Sequence, residues 1–313
     1  MCQWNYLCQT VQNEKPLLIV WGTLLLLAFV WGSSFILMKV AMFDGGGREV
    51  YSAIDVAALR VCIAGLVILP FALVKLKSIP RDKFKWILGI GTFGNLFPAY
   101  LFTSAQTEIP SAIAGMLNAL TPLFTMIVAA IVFHSIISKR QIGGLVVGFV
   151  GAIILIASGG EFSGEIEWWA CGKVALATLF YGFSVNILRN KLLGVGSTAI
   201  AAIALAMVMP VAIMVLMTSN VAEVLIENPH GMTGMMAVGV LGVLGTAGAL
   251  VLFNGLIKWT DALTASSVTY IIPVFAALWG WLDGEVLTVQ HLIGGGIILA
   301  GVALINRSRV EKS

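Results

Sequence analysis

Long apolar runs separated by short polar segments occupy the chain from residue 17 to residue 307. A helix needs about 20 mostly apolar residues to cross the hydrocarbon core of a bilayer. Ten segments have this character, and several of them, such as 86–107 and 112–138, contain no acidic residue, Lys or Arg. The pattern predicts an all-α integral membrane protein with ten transmembrane helices, which begin near Leu17, Ala53, Trp86, Ser111, Gln141, Trp168, Thr198, Gly231, Ala262 and Leu287.

The two halves of the chain carry the same landmarks about 150 residues apart. The paired positions are Gly22 and Gly172, Trp31 and Tyr181, Gly32 and Gly182, Ser34 and Ser184, Lys39 and Arg189, Pro122 and Pro273, Gly144 and Gly294, and Gly151 and Gly301. Each half holds five apolar segments, and because five is odd the second copy enters the bilayer inverted. Inverted repeats are typical of secondary transporters, whose solute site lies between the repeats.

The repeat sets the expected domain boundaries. A cytoplasmic N-terminal tail covers 1–16, the first five-helix repeat covers 17–160, and the second repeat covers 161–307. Residues 308–313 form a cytoplasmic C-terminal tail. Little of the chain remains for a separate soluble domain.

Composition narrows the class of protein further. Hydrophobic residues make up 59% of the chain and charged residues 11%, with a mean hydropathy of +0.99, whereas soluble proteins carry about 25% charged residues. A water-soluble fold is therefore excluded. No nucleotide-binding loop, catalytic triad or metal-ligand cluster is found, and Cys2, Cys8, Cys62 and Cys171 lack metal-type spacing. We expect no enzymatic activity, no cofactor, no bound metal and no nucleic-acid partner.

The distribution of basic residues predicts the orientation. With the N-terminus inside, fourteen of the 18 Lys and Arg residues fall in inner segments, while the outer loops carry mainly acidic residues. Cytoplasmic loops of membrane proteins collect Lys and Arg. We therefore expect a multi-pass protein of a bacterial-type cell inner membrane with both termini cytoplasmic.

Several short motifs become recognisable along the repeats. They are WGSSF at 31–35, LRVCIAG at 59–65, ALTPLFT at 119–125, YIIPVFAALWG at 270–280, and Gly284 with Glu285 ahead of a glycine-rich final segment. In order and duplication these motifs resemble the EamA-type branch of the drug/metabolite transporter superfamily, from about residue 17 to residue 307. The resemblance implies two inverted five-helix repeats and transport of a small molecule, but no particular substrate.

One position departs from this resemblance. The family usually has a Glu after the fourth span of the first repeat, equivalent to Glu285, but His134 and Ser135 stand there instead. Whether they replace its role is left open. A proton-coupling scheme built on a symmetric pair of carboxylates therefore lacks one partner.

Charged side chains inside a bilayer are costly and mark candidate sites. Lys39, Arg60 and Glu285 are the candidates for gating or charge. Arg60 can contact a substrate carboxylate or stabilise an outer gate. Long basic side chains near span ends also reach the headgroup layer, and we favour that structural interpretation of Arg60.

No carboxylate is identified at the centre of the membrane, so solute binding has to use uncharged polar and aromatic groups with apolar walls. The candidate solute-binding residues are Trp31, Ser34, Asn95, Tyr100, Asn118, Thr121, Tyr181, Asn186, Asn254 and Tyr270. A single Asn in a span is more often a helix–helix contact. Asn118 is a stronger candidate for solute binding, because Pro122 displaces its carbonyl and favours a kink beside a polar cavity. Pro273 is expected to do the same in the second repeat.

These observations predict a secondary transporter that moves a small metabolite, such as an amino acid or a related compound, by alternating access. No ATP site is found, so the driving force is a gradient of the solute or of a coupled ion, with protons as a candidate. Two alternatives stay open. One is a proton-coupled multidrug exporter, which requires an essential embedded acid, and the other is a non-transporting membrane sensor.

Overall fold

The computed structural model describes residues 16–157, 168–259 and 268–310, with the backbone alone described at 257, 258 and 306–310. Apart from one isolated bridge between Phe43 and Glu49, the regular structure of these residues is helical. The main helices are α1 Leu17–Met42, α2 Ala53–Leu76, α3 at residues 84–105, α4 Ser111–Ile131, α5 Lys139–Ala157, α6 Trp168–Lys191, α7 Ser197–Met217, α8 at residues 231–259, α9 Val268–Leu282 and α10 Val289–Val310. Short helices lie at Arg81–Lys83 and Val221–Glu227.

Seven of the described helices are long and apolar enough to cross a membrane, namely α1, α2, α4, α5, α6, α7 and α8. The described parts of α9 and α10 are shorter apolar helices. The predicted all-α, multi-pass membrane protein is thus confirmed. The predicted start of the ninth segment, Ala262, lies outside the described residues.

Three helices change their winding midway. α3 contains a π-helical segment at Thr92–Leu96 and α8 contains one at Leu241–Gly248, and these are the third helices of their halves. α4 contains a 3₁₀ turn at Asn118–Leu120, directly before Pro122. π-Helical segments inside α-helices are frequent at functional sites. The irregular backbone therefore marks α3, α4 and α8 as helices to examine for a binding role.

The distortion of α4 follows from Pro122, which lacks an N–H to bond the carbonyl of Asn118. The hydroxyl of Thr121 donates to that carbonyl at 2.8 Å. The winding of α4 is therefore irregular near Pro122, and a neighbouring side chain satisfies the released carbonyl. The predicted kink beside a polar cavity stays a prediction. By contrast, α9 stays α-helical through Pro273.

The contacts between helices are repeated in the two halves. Where two helices pack together, their counterparts pack together as well. α5 packs against α10 and α2 packs against α7, so in both cases a helix meets its own counterpart. α1 packs against α8 and α9, and α6 packs correspondingly against α3 and α4. At Gly32 of α1 an added Cβ would lie 2.5 Å from the Cβ of Phe275, and at Gly182 of α6 it would lie 3.0 Å from the carbonyl oxygen of Phe124, the counterpart of Phe275. The two halves thus use equivalent residues for equivalent contacts.

The α5–α10 contact depends on close backbone approach at glycines, as the sequence predicts. An added Cβ at Gly144 would lie 2.7 Å from the carbonyl oxygen of Gly301, and one at Gly301 would lie 2.5 Å from the amide nitrogen of Gly148. Small residues at such positions let membrane helices approach closely. Since the neighbours are backbone atoms, a larger side chain has no room.

Replacement of Gly301 by Ala is expected to lower the stability of the detergent-solubilised protein by about 1–3 kcal/mol, because the methyl group overpacks the α5–α10 contact. Thermal unfolding measures the effect. Gly296→Ala on the same helix is the matched control, since an added Cβ there meets nothing within 4 Å. Equal stability of the two variants would contradict the packing.

Candidate functional site

Two equivalent aromatic contacts join the two halves. The rings of Trp31 on α1 and Phe253 on α8 have centroids 5.2 Å apart. The rings of Tyr181 on α6 and Phe102 on α3 have centroids 6.1 Å apart. Trp31 and Tyr181 are equivalent in the repeat, and so are Phe102 and Phe253. Each half therefore contributes one ring to each of the two contacts.

Small residues in the π-helical segments hold α1 and α6 close to the opposite half. An added Cβ at Gly245 would lie 3.2 Å from Oγ of Ser34, and one at Gly94 would lie 2.5 Å from Oγ of Ser184. The hydroxyl of Ser34 is buried and donates to the carbonyl of Val30 at 3.1 Å. Ser34 thus lies between the halves, with its proton committed to its own helix.

Arg60 extends from α2 into the bundle. Its Nε donates to Oγ1 of Thr246 at 3.0 Å, and Nη1 lies 3.8 Å from the sulfur of Met38. Tyr181 is close enough to Arg60 for the two groups to interact electrostatically. The Thr246 hydroxyl donates to the carbonyl of Leu241 inside the π-helical segment at 3.1 Å. Our favoured interpretation, in which Arg60 reaches the headgroup layer, is wrong because its partners belong to α1, α6 and α8.

A buried carboxylate joins the ends of three helices. Glu285, with 5% of its side chain exposed, accepts hydrogen bonds from Nζ of Lys39 at 2.9 Å and from the N–H of Ala112 at 3.0 Å. It also accepts from the N–H and hydroxyl of Ser111 at 2.9 and 2.8 Å. Asp283 lies 2.6 Å from Nζ of Lys39. We call these five residues the Lys39–Glu285 cluster. It joins the ends of α1 and α9 to the start of α4.

The cluster keeps Glu285 ionised. Burial by itself would raise the pKa of Glu285, but the N–H of Ala112 and the ammonium of Lys39 outweigh it and hold the pKa below its ordinary value of 4.5. A carboxyl group whose pKa is lowered by folding stabilises the folded state at pH values above the ordinary value. That contribution is lost as the pH falls through the folded-state pKa.

The stability difference between the wild-type protein and Glu285→Gln is therefore expected to be constant at neutral pH and to shrink on acidification below pH 4.5. Thermal unfolding of both proteins across a pH series in detergent measures it. A difference that is independent of pH, or one that grows on acidification, would contradict the ion pair.

Two further contacts tie the halves together at the same end of the bundle. Nζ of Lys173, near the start of α6, lies 2.6 Å from the carboxylate of Glu108, which precedes α4. The hydroxyl of Tyr51 donates to the carbonyl of Gly231, where α8 begins, at 3.0 Å. Together with the Lys39–Glu285 cluster, these contacts join the two halves at this end of the structure.

The loop after α4 has the same backbone geometry as the loop that holds Glu285. His134 has a φ of +52° and its counterpart Gly284 a φ of +83°, so His134 takes a left-handed position that favours glycine. The N–H of Ser135 donates to a carbonyl of α4 at 2.9 Å, as the N–H of Glu285 donates to one of α9 at 2.8 Å. Ser135 therefore stands in the place of Glu285, without a carboxylate. Arg189, the counterpart of Lys39, is exposed.

Three predicted solute-binding residues use their polar groups for backbone contacts. Nδ2 of Asn186 donates to the carbonyl of Thr125 on α4 at 2.8 Å. Nδ2 of Asn254 donates to a carbonyl one turn earlier on α8 at 2.7 Å, and the Tyr270 hydroxyl donates to a carbonyl of α10 at 3.1 Å. The bonds of Asn186 and Tyr270 join two helices, whereas that of Asn254 stays within α8. The predicted solute role of the three residues stays a prediction.

The other predicted residues on α3 and α4 differ in their exposure. Asn95 lies half-buried in the π-helical segment of α3, and Asn118 and Thr121 lie half-buried at the 3₁₀ turn of α4. The structure does not bring Tyr100 to the aromatic contacts. Tyr100 is 45% exposed and stands two residues from Phe102, which puts the two rings on opposite faces of α3.

The sequence interpretation missed Phe102, Phe253, Thr246 and Ser111. The two Phe residues carry a usable signal, because they occupy equivalent positions in the repeat. Thr246 carries the same kind of signal, because the offset that pairs Phe102 with Phe253 also pairs Asn95 with Thr246. Ser111 carries none, since its contact depends on the position of the loop after α9.

Comparison with known families gives two matches along the chain. The model described as "EamA-like transporter family" matches residues 18–157 and, again, residues 168–307. The chain belongs to the EamA-like transporter family. The resemblance drawn from the motifs is thereby confirmed. This EamA-like transporter is a membrane permease for small molecules and not an enzyme.

Curated relatives of this EamA-like transporter align over nearly their whole length. "Uncharacterized inner membrane transporter YedA" of Escherichia coli (strain K12) is 29% identical, covering 93% of this chain and 92% of the relative. "S-adenosylmethionine/S-adenosylhomocysteine transporter" of Chlamydia trachomatis serovar L2 is 27% identical, covering 89% and 86%. "Probable terminal-alkyne amino-acid exporter" of Streptantibioticus cattleyicolor is 26% identical, covering 92% and 93%.

A solved structure described as "Crystal structure of protein" has the same fold. It superposes with a TM-score of 0.56 at 19% sequence identity, covering 93% of this chain and 98% of that one.

Proposed function

We propose that this EamA-like transporter is a secondary transporter whose two five-helix repeats are inverted in the membrane and alternate the access of a small metabolite. The proposal includes ten membrane spans, a location in the cell inner membrane and cytoplasmic termini. It is supported by the exchange of equivalent helix contacts between the halves and by the concentration of Lys and Arg in alternate loops.

The observation that carries the proposal is the pair of equivalent aromatic contacts, Trp31 with Phe253 and Tyr181 with Phe102. Solute sites of inverted-repeat transporters lie at the repeat interface, where helices are irregular. The two contacts lie at such an interface, next to the π-helical segments. Half-buried Asn95 supplies a polar group on α3, the helix of Phe102. The 3₁₀ turn supplies further polar groups on α4, which packs against α6.

The Lys39–Glu285 cluster is proposed as the outer gate. Under the predicted orientation, the end of the bundle that holds Lys39, Glu108, Lys173 and Glu285 faces the outside. The closed contacts there correspond to a state that is shut on the outer side. The lowered pKa of Glu285 supports a lasting ion pair and weighs against a role as the proton carrier of a multidrug exporter.

For the solute, we propose an amino acid or a related compound. One relative is named as an amino-acid exporter and another as a transporter of S-adenosylmethionine and S-adenosylhomocysteine. No observation on the described residues favours a multidrug exporter or a sensor.

The proposal is tested by counterflow in proteoliposomes that contain the purified full chain. Vesicles loaded with unlabelled amino acids are expected to accumulate the matching radiolabelled solute, whereas empty proteoliposomes and protein-free vesicles do not. Cross-linking of Glu108→Cys to Lys173→Cys is expected to stop the exchange, and reduction of the cross-link to restore it. Exchange that persists in the cross-linked protein would contradict the outer gate.

A further inference from the structure

Arg60 is a charged group inside the bundle without an ionic partner on the described residues. It stands in the third turn of α2 and contacts Thr246 of α8 and Met38 of α1, but the described ion pairs join other residues. A charge within the membrane ordinarily pairs with an opposite charge or lines the path of a substrate or ion. The position of Arg60 therefore calls for an anion that the described part of the chain does not supply.

The contacts of Arg60 orient its guanidinium rather than neutralise it. A guanidinium carries five N–H donors in a planar fork. Nε is used by Thr246, and Nη1 faces the thioether of Met38, which is a weak acceptor. Nη2 has no acceptor among the described residues. The Thr246 hydroxyl is itself held by the carbonyl of Leu241, so the Nε edge of the guanidinium is fixed. The edge formed by Nη1 and Nη2 is available for a ligand.

Arg60 lies in the region of one of the aromatic contacts. Arg60 and Tyr181 are near enough to interact electrostatically, and Tyr181 packs on Phe102. The guanidinium is thus within electrostatic range of one of the two rings that we assign to the solute site. It comes from the first half, whereas Tyr181 and Thr246 come from the second.

We propose that Arg60 is the anion-binding residue of the solute site and that the transported solute carries a carboxylate. This inference rests on the proposed function, in which the solute is an amino acid or a related compound. It adds the group of the solute that the site recognises and the residue that binds this group. Arginine binds a carboxylate through two parallel hydrogen bonds, for which Nη1 and Nη2 provide the donors. Half-buried Tyr181 covers the apolar part of the solute, with the buried ring of Phe102 packed behind it.

The charge of the site favours a single carboxylate over a dianion such as a phosphate monoester. Arg60 is one cation, and its described neighbours Thr246, Tyr181 and Met38 are uncharged. A second negative charge would be taken out of water without compensation. Lys39 is not available for it, because Asp283 and Glu285 occupy its ammonium at 2.6 and 2.9 Å.

The test compares carboxylic acids with their amides on the purified full chain. The probes are the common amino acids and short aliphatic and aromatic carboxylic acids, each beside its amide, together with uncharged and cationic solutes of similar size. Thermal shift finds the ligands, and counterflow in proteoliposomes identifies those that are transported. At least one acid is expected to bind and exchange, and its amide to bind at least about tenfold more weakly.

The variants are Arg60→Gln, Arg60→Lys and the matched control Arg48→Gln. Arg60→Gln is expected to lose about 10- to 100-fold in affinity for the transported acid. Arg60→Lys keeps the positive charge but lacks the two parallel donors of the guanidinium, and it is expected to lose less affinity. Arg48 is 82% exposed and pairs with Asp44 in a loop, so its replacement should leave the affinity within about twofold.

Each outcome decides the inference. Transport confined to solutes without a carboxylate, equal binding of acid and amide, or unchanged affinity in Arg60→Gln would overturn it while leaving the transporter proposal intact. If the wild-type protein exchanges no solute of any kind, the proposed function fails as well. Should Arg60→Gln not fold, the acid-to-amide ratio of the wild type and the behaviour of Arg60→Lys give the answer.

Discussion

Replacement of Trp31 or Tyr181 by Ala is expected to slow solute exchange by about 10- to 100-fold. Each ring is half-buried between the two halves and packs on an aromatic partner from the other half. Aromatic side chains contribute large contact areas to binding pockets, so their removal leaves the solute without a wall on one side. Counterflow per amount of folded protein in the vesicles is the measurement.

Tyr100→Ala is the matched control for this pair of variants. It removes an aromatic ring of the same size from the face of α3 opposite Phe102, where 45% of the residue is exposed. Its exchange rate should stay within about twofold of wild type. Equal losses in all three variants would contradict the assignment of Trp31 and Tyr181 to the solute site.

Replacement of Glu285 by Ala is expected to lower the stability of the protein by about 2–3 kcal/mol, as expected for hydrogen bonds to a charged group, and to open its outer end. The change leaves Lys39 with Asp283 alone and removes the acceptor of the Ser111 and Ala112 N–H groups. Because these contacts join α1 and α9 to α4, their loss shifts the population towards the state that is open to the outside.

The opening is measured by the rate at which a membrane-impermeant thiol reagent, added outside, labels Thr121→Cys on α4. The native cysteines are first replaced. Labelling is expected to be faster in Glu285→Ala than in the parent. Asp44→Ala is the control, since it removes an ion pair of 2.9 Å that stays within one loop. An unchanged labelling rate of Thr121→Cys in Glu285→Ala would contradict the assignment of the Lys39–Glu285 cluster to the outer gate.

The helical class and the repeat are predictable from the sequence for physical reasons. The thickness of the bilayer requires long apolar runs, and the backbone of membrane helices must be satisfied within each helix. The recurrence of Trp31 as Tyr181 and of Gly144 as Gly294 identifies equivalent positions without any structure. The close approach of α5 and α10 at Gly148 and Gly301 follows from the same pattern.

The direction of single side chains could not be predicted in this way. Arg60 has the same sequence neighbours whether it reaches the headgroups or the interior, and its inward direction depends on Thr246, which the π-helical segment of α8 presents. Lys39 and Glu285 are 246 residues apart, so no local period joins them. Tyr100 was assigned by residue type, whereas the winding of α3 decides its face.

The inverted arrangement of the two repeats is tested most directly by cysteine labelling at Ile136 and Val286. These residues occupy equivalent positions in the loops after α4 and α9, and they are 91% and 66% exposed. In a protein without native cysteines, Ile136→Cys and Val286→Cys are treated with an impermeant maleimide in intact spheroplasts. We predict that Val286→Cys is labelled from the outside and Ile136→Cys only after permeabilisation. Labelling of both residues from the same side would contradict the inverted repeats, and with them the proposed alternating-access transporter.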